Sequence, residues 1–280
     1  MEIFKNCLLA SDVDGTLVGG GKIAERNIEA IKYFRENGGT FVLSTGRGAA
    51  ALGQVFTLMD KSLVGPSIVL NGGMIYDSAN EKVLYAKELS NRSKENALTV
   101  CKKLPTVGVE IHSNTNVFVL AANDVVWFHG KYEMLNQIET TFDQIKNEPW
   151  HKVLYCCASD AEREALSALL DEIDNNESSF VCTRLGFETG EHIYYEQLPK
   201  GMSKAVGVRE LAKILNTKKG GIFAIGDYYN DVEMLQFADI SGTTSQAPND
   251  IKKLVNFVGG PCNKGAVADF IEYLKTEVQK

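Results

Sequence analysis

The sequence predicts an α/β protein with a doubly wound parallel-sheet core, into which an α+β cap domain is inserted. Short apolar segments, such as residues 7–13 and 40–44, are each followed by a helical pattern. This strand–helix alternation is typical of a parallel sheet with helices on both faces. The pattern changes near Val83 and returns after Pro199, which indicates that the segment between them forms a second domain.

The first core segment alternates strands and helices. Ile28, Ile31 and Phe34 recur at helical spacing, and Asn37 followed by two glycines is a helix-ending sequence. The predicted elements are a strand at 7–13, a helix at 24–36, a strand at 40–44, a helix ending near 58 and a strand at 67–70.

The remaining elements divide into a cap and a second core segment. In the cap we predict a mixed or antiparallel sheet, with helices at 91–103, 131–146 and 160–173 and strands near 107–111, 116–120, 152–157, 179–183 and 191–195. The second core segment has a helix at 203–215, strands at 221–225, 238–240 and 255–258, and a last helix from 265. The predicted domains are therefore a core of residues 1–84 and 195–280 and a cap of residues 85–194.

Composition limits the class of protein and its partners. The chain has 280 residues, of which 44% are apolar and 23% charged, and its net charge is −7. No segment approaches the ~20 apolar residues of a membrane span, and the N-terminus lacks a signal-peptide pattern. We therefore expect a cytoplasmic protein without membrane or nucleic-acid partners, because its negative charge disfavours phosphate backbones. Whether it is a monomer or a homodimer stays open.

Polar residues follow several predicted strands, at the edge where open parallel sheets bind ligands. Asp12 and Asp14 follow the first strand, and two close carboxylates repel each other unless a cation neutralises them. Mg²⁺ suits such a pair, and a carboxylate can also attack phosphorus to form an aspartyl-phosphate. The alternative is a turn with solvated aspartates.

Two further clusters could bind an anion. Ser44, Thr45 and Gly46 end a strand before a predicted helix, which offers a hydroxyl and backbone N–H groups, although such residues also make ordinary helix caps. Lys204, at a helix start, could direct its ammonium at the same anion, or it could be a solvated surface lysine.

The segment 226–231, Gly-Asp-Tyr-Tyr-Asn-Asp, is the most specific cluster. It follows an apolar strand and adds two carboxylates to the same edge of the sheet. Asp227 could complete a magnesium site with Asp12, while Asn230 and Asp231 could fix waters or neighbouring groups.

Together these motifs resemble the haloacid dehalogenase (HAD) superfamily, and within it the Cof-type hydrolases of subfamily IIB. Segment 12–17, Asp-Val-Asp-Gly-Thr-Leu, resembles the first motif of the superfamily, and segment 44–47, Ser-Thr-Gly-Arg, resembles the second. Lys204 resembles the third and segment 226–231 the fourth. The resemblance covers essentially the whole chain, but Tyr228 and Tyr229 stand where small or acidic residues are usual.

The resemblance implies a HAD-like, Rossmannoid core and a role for each motif residue. It implies that Asp12 is the nucleophile and that Asp14 is the general acid and then the base. The implied phosphate-binding residues are Thr45, Gly46, Lys204 and Asn230. The implied Mg²⁺ ligands are Asp12, Asp227 and the backbone carbonyl of Asp14, with Asp231 orienting Lys204 or a metal-bound water.

The function expected from this resemblance is a magnesium-dependent phosphatase that acts on a small phosphorylated metabolite, such as a sugar phosphate. A phosphomutase or phosphotransferase of the same superfamily is an alternative, as is a phosphate-binding sensor without turnover. We expect the cap to select the substrate. Its polar and aromatic residues suited to this include Trp127, His129, His151, Arg184 and Glu188, none of which is given a specific role.

Overall fold

The protein consists of two compact units. The computed structural model describes residues 2–187 and 190–279. The first unit, called the core unit below, comprises Met1–Arg47, Val55–Tyr85 and Ser203–Lys280. The second, called the cap unit, comprises Gly48–Gln54 and Ala86–Met202.

Strands and helices follow one another along both units of the chain. The strands are, in chain order, β1 (Leu8–Ser11), β2 (Val18–Gly19), β3 (Lys22–Ile23), β4 (Thr40–Leu43), β5 (Ser67–Val69), β6 (Met74–Asp77), β7 (Lys82–Ala86), β8 (Gly108–Ser113), β9 (Asn116–Ala121), β10 (Gln137–Glu139), β11 (Lys152–Cys157), β12 (Ser178–Phe187), β13 (Gly190–Pro199), β14 (Ile222–Ile225), β15 (Ile240–Thr243) and β16 (Phe257–Val258). The helices are α1 (Glu25–Glu36), α2 (Leu52–Phe56), α3 (Asn91–Lys103), α4 (Asp124–Tyr132), α5 (Phe142–Ile145), α6 (Asp160–Ile173), α7 (Lys204–Ile214), α8 (Val232–Phe237), α9 (Asn249–Lys252) and α10 (Ala266–Glu277).

A five-stranded parallel sheet forms the centre of the core unit. Its strand order is β16-β15-β14-β1-β4, and a single parallel bridge between Ser44 and Ile68 places β5 beside β4. Strand β1 lies between β14 and β4, with Leu8 opposite both Ile222 and Thr40. The two chain segments that flank the cap therefore build one sheet, with the end of β1 near its centre.

Helices cover both faces of this sheet. Leu8 and Ala10 of β1 pack into one cluster with residues of α7 and α8. Because successive side chains of a strand point to opposite faces, the fully buried Leu9 faces the other side, where α1 contacts β4 and α10 contacts β15. The predicted doubly wound α/β core is confirmed.

The cap unit is a six-stranded sheet with helices on both faces. Its strand order is β10-β9-β8-β11-β13-β12, and its neighbours are antiparallel except for β10 and β9, which are parallel. Residues of α3 and α6 share one apolar cluster with Ile111 and Tyr155. Residues of α4 pack with Leu154 and Tyr194. These two residues are the strand neighbours of Tyr155 and Ile193 in the first cluster, so the two clusters lie on opposite faces of the sheet. This is the mixed α+β sheet that the sequence predicts.

The prediction of one helix over residues 131–146 is wrong. Helix α4 begins earlier, at Asp124, because the Asn123 side chain accepts the N–H of Val126 and caps it. Met134 has a φ of 56°, in the left-handed region, and such a residue cannot continue a right-handed helix. The chain then forms β10, which pairs with β9, and the short helix α5.

The boundary predicted between residues 194 and 195 also differs from the structure. Strand β13 continues to Pro199, and its second half pairs with β12, where Ser178 is opposite Pro199. Gln197 is likewise opposite Val153 of β11. These pairings keep the chain within the cap unit as far as Met202.

Buried charges and polar contacts hold several cap residues in place. The Glu110 carboxylate is fully buried, with Oε1 2.8 Å from His112 Nε2 and 3.1 Å from His129 Nδ1. Burial acts against the charged form of His129, but Glu110 outweighs this and raises the pKa of the imidazole. His151 contacts the Lys87 carbonyl and the Asn114 side chain. His129 and His151, two of the predicted cap residues, therefore have structural partners. Glu188, another of them, lies outside the described residues.

A search of the described helices finds none that combines the length and the apolar character needed to cross a membrane.

Candidate active site

The predicted site residues follow the carboxyl ends of neighbouring strands in the core unit. Asp12 comes directly after β1 and Thr45 two residues after β4, while Asp227 follows β14. Since these strands are parallel and adjacent, their ends meet at the same edge of the sheet. This edge is where ligands bind in open α/β sheets.

Lys204 lies at the centre of the cluster. Its Nζ donates hydrogen bonds to Asp12 Oδ1 and Asp231 Oδ1, each at 2.6 Å. The lysine is 1% exposed, which excludes the alternative of a solvated surface lysine. Residue 204 begins α7, so the helix start directs the side chain into the interior.

Burial and neighbouring charges shift the pKa values of Lys204 and Asp12. Burial disfavours the ammonium of Lys204, but Asp12 and Asp231 outweigh this effect and raise the pKa of the lysine. Burial also raises the pKa of Asp12; Lys204 lowers it, and the carboxylates of Asp231 and Asp227 raise it. Lys204 is therefore a fixed cation. Further positive charge near Asp12 would stabilise the ionised form of its carboxyl group.

Asp227 brings a third carboxylate to this cluster. Thr16 Oγ1 donates to Asp227 Oδ1 at 2.8 Å, which links the loop after β1 to the loop after β14. A Cβ at Gly15 would lie 2.6 Å from Asp227 Oδ2, and its φ of 89° is in the left-handed region, so only glycine fits there. Burial, followed by repulsion from Asp231, raises the pKa of Asp227.

The donor set fits a divalent cation. One oxygen each of Asp12, Asp227 and Asp231 can be chosen so that all three lie within 4.8 Å of one another. The Lys204 ammonium pairs with Asp12 and Asp231, so when the three carboxyl groups are ionised their negative charge exceeds the positive charge of the lysine. Carboxylate oxygens are the ligands that Mg²⁺ uses in proteins. The predicted pair of Asp12 and Asp227 belongs to this group, whereas the Asp14 carboxylate does not.

Asp231 organises the loop that carries Asp227. Its Oδ2 accepts the backbone N–H groups of Asp227 and Tyr228, at 3.0 and 3.1 Å, while its Oδ1 accepts Lys204. A Cβ at Gly226 would lie 2.4 Å from the Asp231 carboxyl carbon. Tyr228 and Tyr229 are 59% and 55% exposed, which explains why this loop accommodates two large residues.

A second cluster of polar groups contains the predicted phosphate-binding residues Thr45, Gly46 and Asn230. Asn230 Nδ2 donates to Asn71 Oδ1 at 3.4 Å, and the backbone N–H of Asn71 donates to the Thr45 carbonyl at 3.0 Å. A Cβ at Gly46 would lie 3.1 Å from Asn71 Nδ2. Asn71 thus contacts both predicted segments.

The helix predicted after segment 45–48 starts as a 3₁₀ turn, and its α-helical part is short. A 3₁₀ turn covers Ala49–Ala51, and α2 begins at Leu52. The backbone N–H groups beside Thr45 therefore belong to a loop and not to a helix N-terminus. Within this loop, the Arg47 N–H donates to Thr45 Oγ1 at 3.1 Å.

The Asp14 side chain takes a different direction from that of Asp12. It is 56% exposed and pairs with Arg47, while Asp12 is turned toward Lys204. The two aspartates of the first motif therefore have different partners. Asp12 pairs with the buried Lys204, and Asp14 pairs with Arg47.

Sequence reasoning missed Thr16, Asn71 and Arg47 as members of this site. Thr16 and Arg47 stand inside motifs that the sequence analysis had identified, so their position was a usable signal. Asn71 directly follows the strand predicted at 67–70 and belongs to none of the predicted motifs. Its left-handed φ of 51°, next to Leu70 at 53°, cannot be recognised from the sequence, although such backbone strain is common at functional sites.

Comparison with known proteins identifies related sequences. Residues 9–271 match a family model described as haloacid dehalogenase-like hydrolase. A relative in Bacillus subtilis strain 168, the 5-amino-6-(5-phospho-D-ribitylamino)uracil phosphatase YitU, is 25% identical over 278 residues. That match covers 96% of this chain and 97% of the relative.

Solved structures share the fold over nearly the whole chain. The HAD subclass IIB sugar phosphatase BT4131 has a TM-score of 0.78 at 21% identity and covers 96% of this chain and 99% of its own. BT1666 from Bacteroides thetaiotaomicron, a phosphatase of the haloalkanoate enzyme superfamily, has a TM-score of 0.75 at 20% identity, with 97% and 96% coverage. At this identity the likeness establishes the fold.

Proposed function

Because this chain belongs to the haloacid dehalogenase-like hydrolase family, we propose that it is a magnesium-dependent phosphatase of small phosphomonoesters, most suitably sugar phosphates. The observation that carries the proposal is the cluster of buried Asp12, Lys204 and Asp231 with half-buried Asp227. It combines a carboxylate nucleophile with a fixed cation and a cation-binding donor set. The phosphatases among its relatives and structural neighbours support the same activity.

In the first step, an oxygen of Asp12 attacks phosphorus and the bond from phosphorus to the leaving oxygen breaks. Asp14 enters this step protonated and donates its proton to that oxygen, so the alcohol leaves neutral. Asp12 becomes an aspartyl-phosphate. In the second step, water attacks phosphorus while Asp14 takes one of its protons. The bond to Asp12 then breaks, which regenerates the carboxylate and releases inorganic phosphate.

The other residues stabilise the charge of the transferring group. Phosphoryl transfer depends mainly on positioning and on neutralising charge spread over the phosphoryl oxygens. Lys204 supplies a cation beside Asp12, and Thr45, Gly46 and Asn230 provide hydrogen-bond donors, while Asp231 holds Lys204. Bound Mg²⁺, held by Asp12, Asp227 and the Asp14 carbonyl, would supply further positive charge to the phosphoryl oxygens.

The test is a screen of sugar phosphates, nucleotides, cofactor phosphates and an aryl phosphate in the presence of Mg²⁺. We expect release of inorganic phosphate, with the highest kcat/KM for a sugar phosphate. If folded protein released phosphate from none of them, the proposal would be wrong. Transfer of the phosphoryl group to a second hydroxyl, without phosphate release, would instead identify a mutase or phosphotransferase.

We further propose that the cap unit selects the substrate. The predicted catalytic, phosphate-binding and metal-binding residues all lie in the core unit, so the cap unit is available for recognition of the rest of the substrate. Contacts away from phosphorus change substrate preference, while nucleophile and metal govern the chemical step.

Cap variants test this division. We expect Trp127→Ala and Arg184→Ala to change the ratio of kcat/KM between two sugar phosphates by about 10-fold, since one lost contact is worth roughly that factor. An aryl phosphate, which offers little to recognise, should change less. His129→Ala is the control: it removes the partner of buried Glu110 and should lower cap stability and activity on all substrates alike. A uniform loss in the first two variants would contradict the proposal.

A further inference from the structure

Arg47 forms a two-point ion pair with Asp14. Its Nε donates to Asp14 Oδ2 at 2.9 Å and its Nη2 donates to Asp14 Oδ1 at 3.0 Å. The Arg47 side chain is 11% exposed and that of Asp14 is 56% exposed. The arginine is therefore the anchored partner, and the aspartate is the one that would otherwise move in solvent.

We propose that Arg47 is a positioning residue that fixes the orientation of the Asp14 carboxylate for proton transfer. This inference rests on the proposed function, in which Asp14 is the acid and then the base. A proton donor must come within hydrogen-bond reach of the leaving oxygen, and a half-exposed aspartate alone would occupy several rotamers. The planar guanidinium binds both carboxylate oxygens and so fixes the plane of the group.

The backbone of Arg47 is itself tied to the phosphate-binding segment. Its N–H donates to Thr45 Oγ1 at 3.1 Å, and its carbonyl accepts the N–H of Leu70 at 2.9 Å. Leu70 has a left-handed φ of 53°, a strained conformation for leucine that the surrounding structure must hold. Arg47 therefore connects the acid/base to the segment that contains Thr45, so both keep a fixed relation to one bound phosphoryl group.

This role predicts a dependence on the leaving group. A sugar phosphate expels an alkoxide and needs the proton from Asp14, whereas 4-nitrophenyl phosphate expels a stable phenolate that does not. We expect Arg47→Gln to lower kcat/KM about 100-fold for the sugar phosphate, the factor that a misplaced catalytic group costs, and less than about 5-fold for the aryl phosphate. We compare kcat/KM because this parameter reports the steps from substrate binding up to departure of the leaving group. It does not include the later hydrolysis of the aspartyl-phosphate.

The experiment combines Arg47→Gln, Arg47→Lys, Asp14→Asn and the double variant of Arg47→Gln with Asp14→Asn, each checked for folding by circular dichroism. If Arg47 acts through Asp14, adding Arg47→Gln to Asp14→Asn should cost less than about 2-fold, since the pair is coupled. Arg47→Lys keeps the charge but cannot bind both oxygens at once, so it should remain at least about 10-fold below wild type on the sugar phosphate.

The outcomes separate the two proposals. If Asp14→Asn leaves sugar-phosphate hydrolysis intact, the proposed function of Asp14 fails, whatever Arg47 does. If Asp14→Asn is impaired while the losses of the two single variants simply add, the positioning role is overturned. Equal losses from Arg47→Gln on both substrates, or full activity of Arg47→Lys, would also overturn it.

Discussion

Asp12→Asn should lower phosphatase turnover by at least about 10⁴-fold, because an amide cannot attack phosphorus to form the covalent intermediate. Asparagine has nearly the shape of aspartate and keeps an oxygen that can accept the hydrogen bond that Lys204 donates to Asp12 Oδ1. We therefore expect a folded but inactive protein. The measurement is steady-state phosphate release by purified variant and wild type on the best substrate of the screen.

A matched control separates this effect from a general response to removing a carboxylate. Asp60 caps the 3₁₀ turn at Lys61–Leu63 by accepting the Ser62 N–H, and asparagine also caps. Asp60→Asn should stay within about 2-fold of wild type. Near-normal turnover of pure Asp12→Asn would refute the assignment of Asp12 as nucleophile, and with it the covalent mechanism.

Removal of Mg²⁺ should abolish activity, and its return should restore it. Asp12, Asp227 and Asp231 offer oxygens within 4.8 Å of one another, and close carboxylates repel unless a cation offsets their charge. The measurement is turnover after exhaustive chelation and then across a Mg²⁺ titration. Full activity in the chelated protein would contradict a magnesium requirement.

Binding of the ion can also be followed without turnover. An ion that binds only the folded state raises the melting temperature as its concentration exceeds the dissociation constant, so Mg²⁺ should stabilise the wild-type protein. Asp227→Asn should weaken this stabilisation and raise the Mg²⁺ concentration needed for activity. Asp60→Asn, which changes an exposed aspartate of the same unit, should do neither. Equal stabilisation of Asp227→Asn by Mg²⁺ would argue against Asp227 as a ligand.

Local sequence signals predicted much of the fold. The helices at 91–103 and 160–173 are confirmed with the predicted bounds, because Ser90 and Ser159 cap their first turns through side-chain oxygens. The strands of the core were predicted from apolar runs that end in polar residues. Both kinds of signal lie within a few residues of the element that they define.

The errors concern elements whose formation depends on distant partners. Strand β10 has only three residues and pairs with β9 about twenty positions earlier, so the local pattern at 131–146 does not reveal it. The end of the cap is similar, since β13 extends to Pro199 through pairing with β12 and β11. Pairing between strands is a tertiary contact, and a strand this short lacks the periodicity that would identify it.

For the candidate site, the sequence by itself determined which residues stand at the ends of the strands, and their chemical types predicted phosphate and magnesium chemistry. Only the tertiary structure decided their partners. It places Lys204 between Asp12 and Asp231, which are 192 and 27 positions away, and Thr16 against Asp227, 211 positions away. It also pairs Asp14 with Arg47, across 33 positions. The physical reason is that parallel strands distant in sequence converge at one edge of the sheet, where burial and neighbouring charge then set the ionisation of each group.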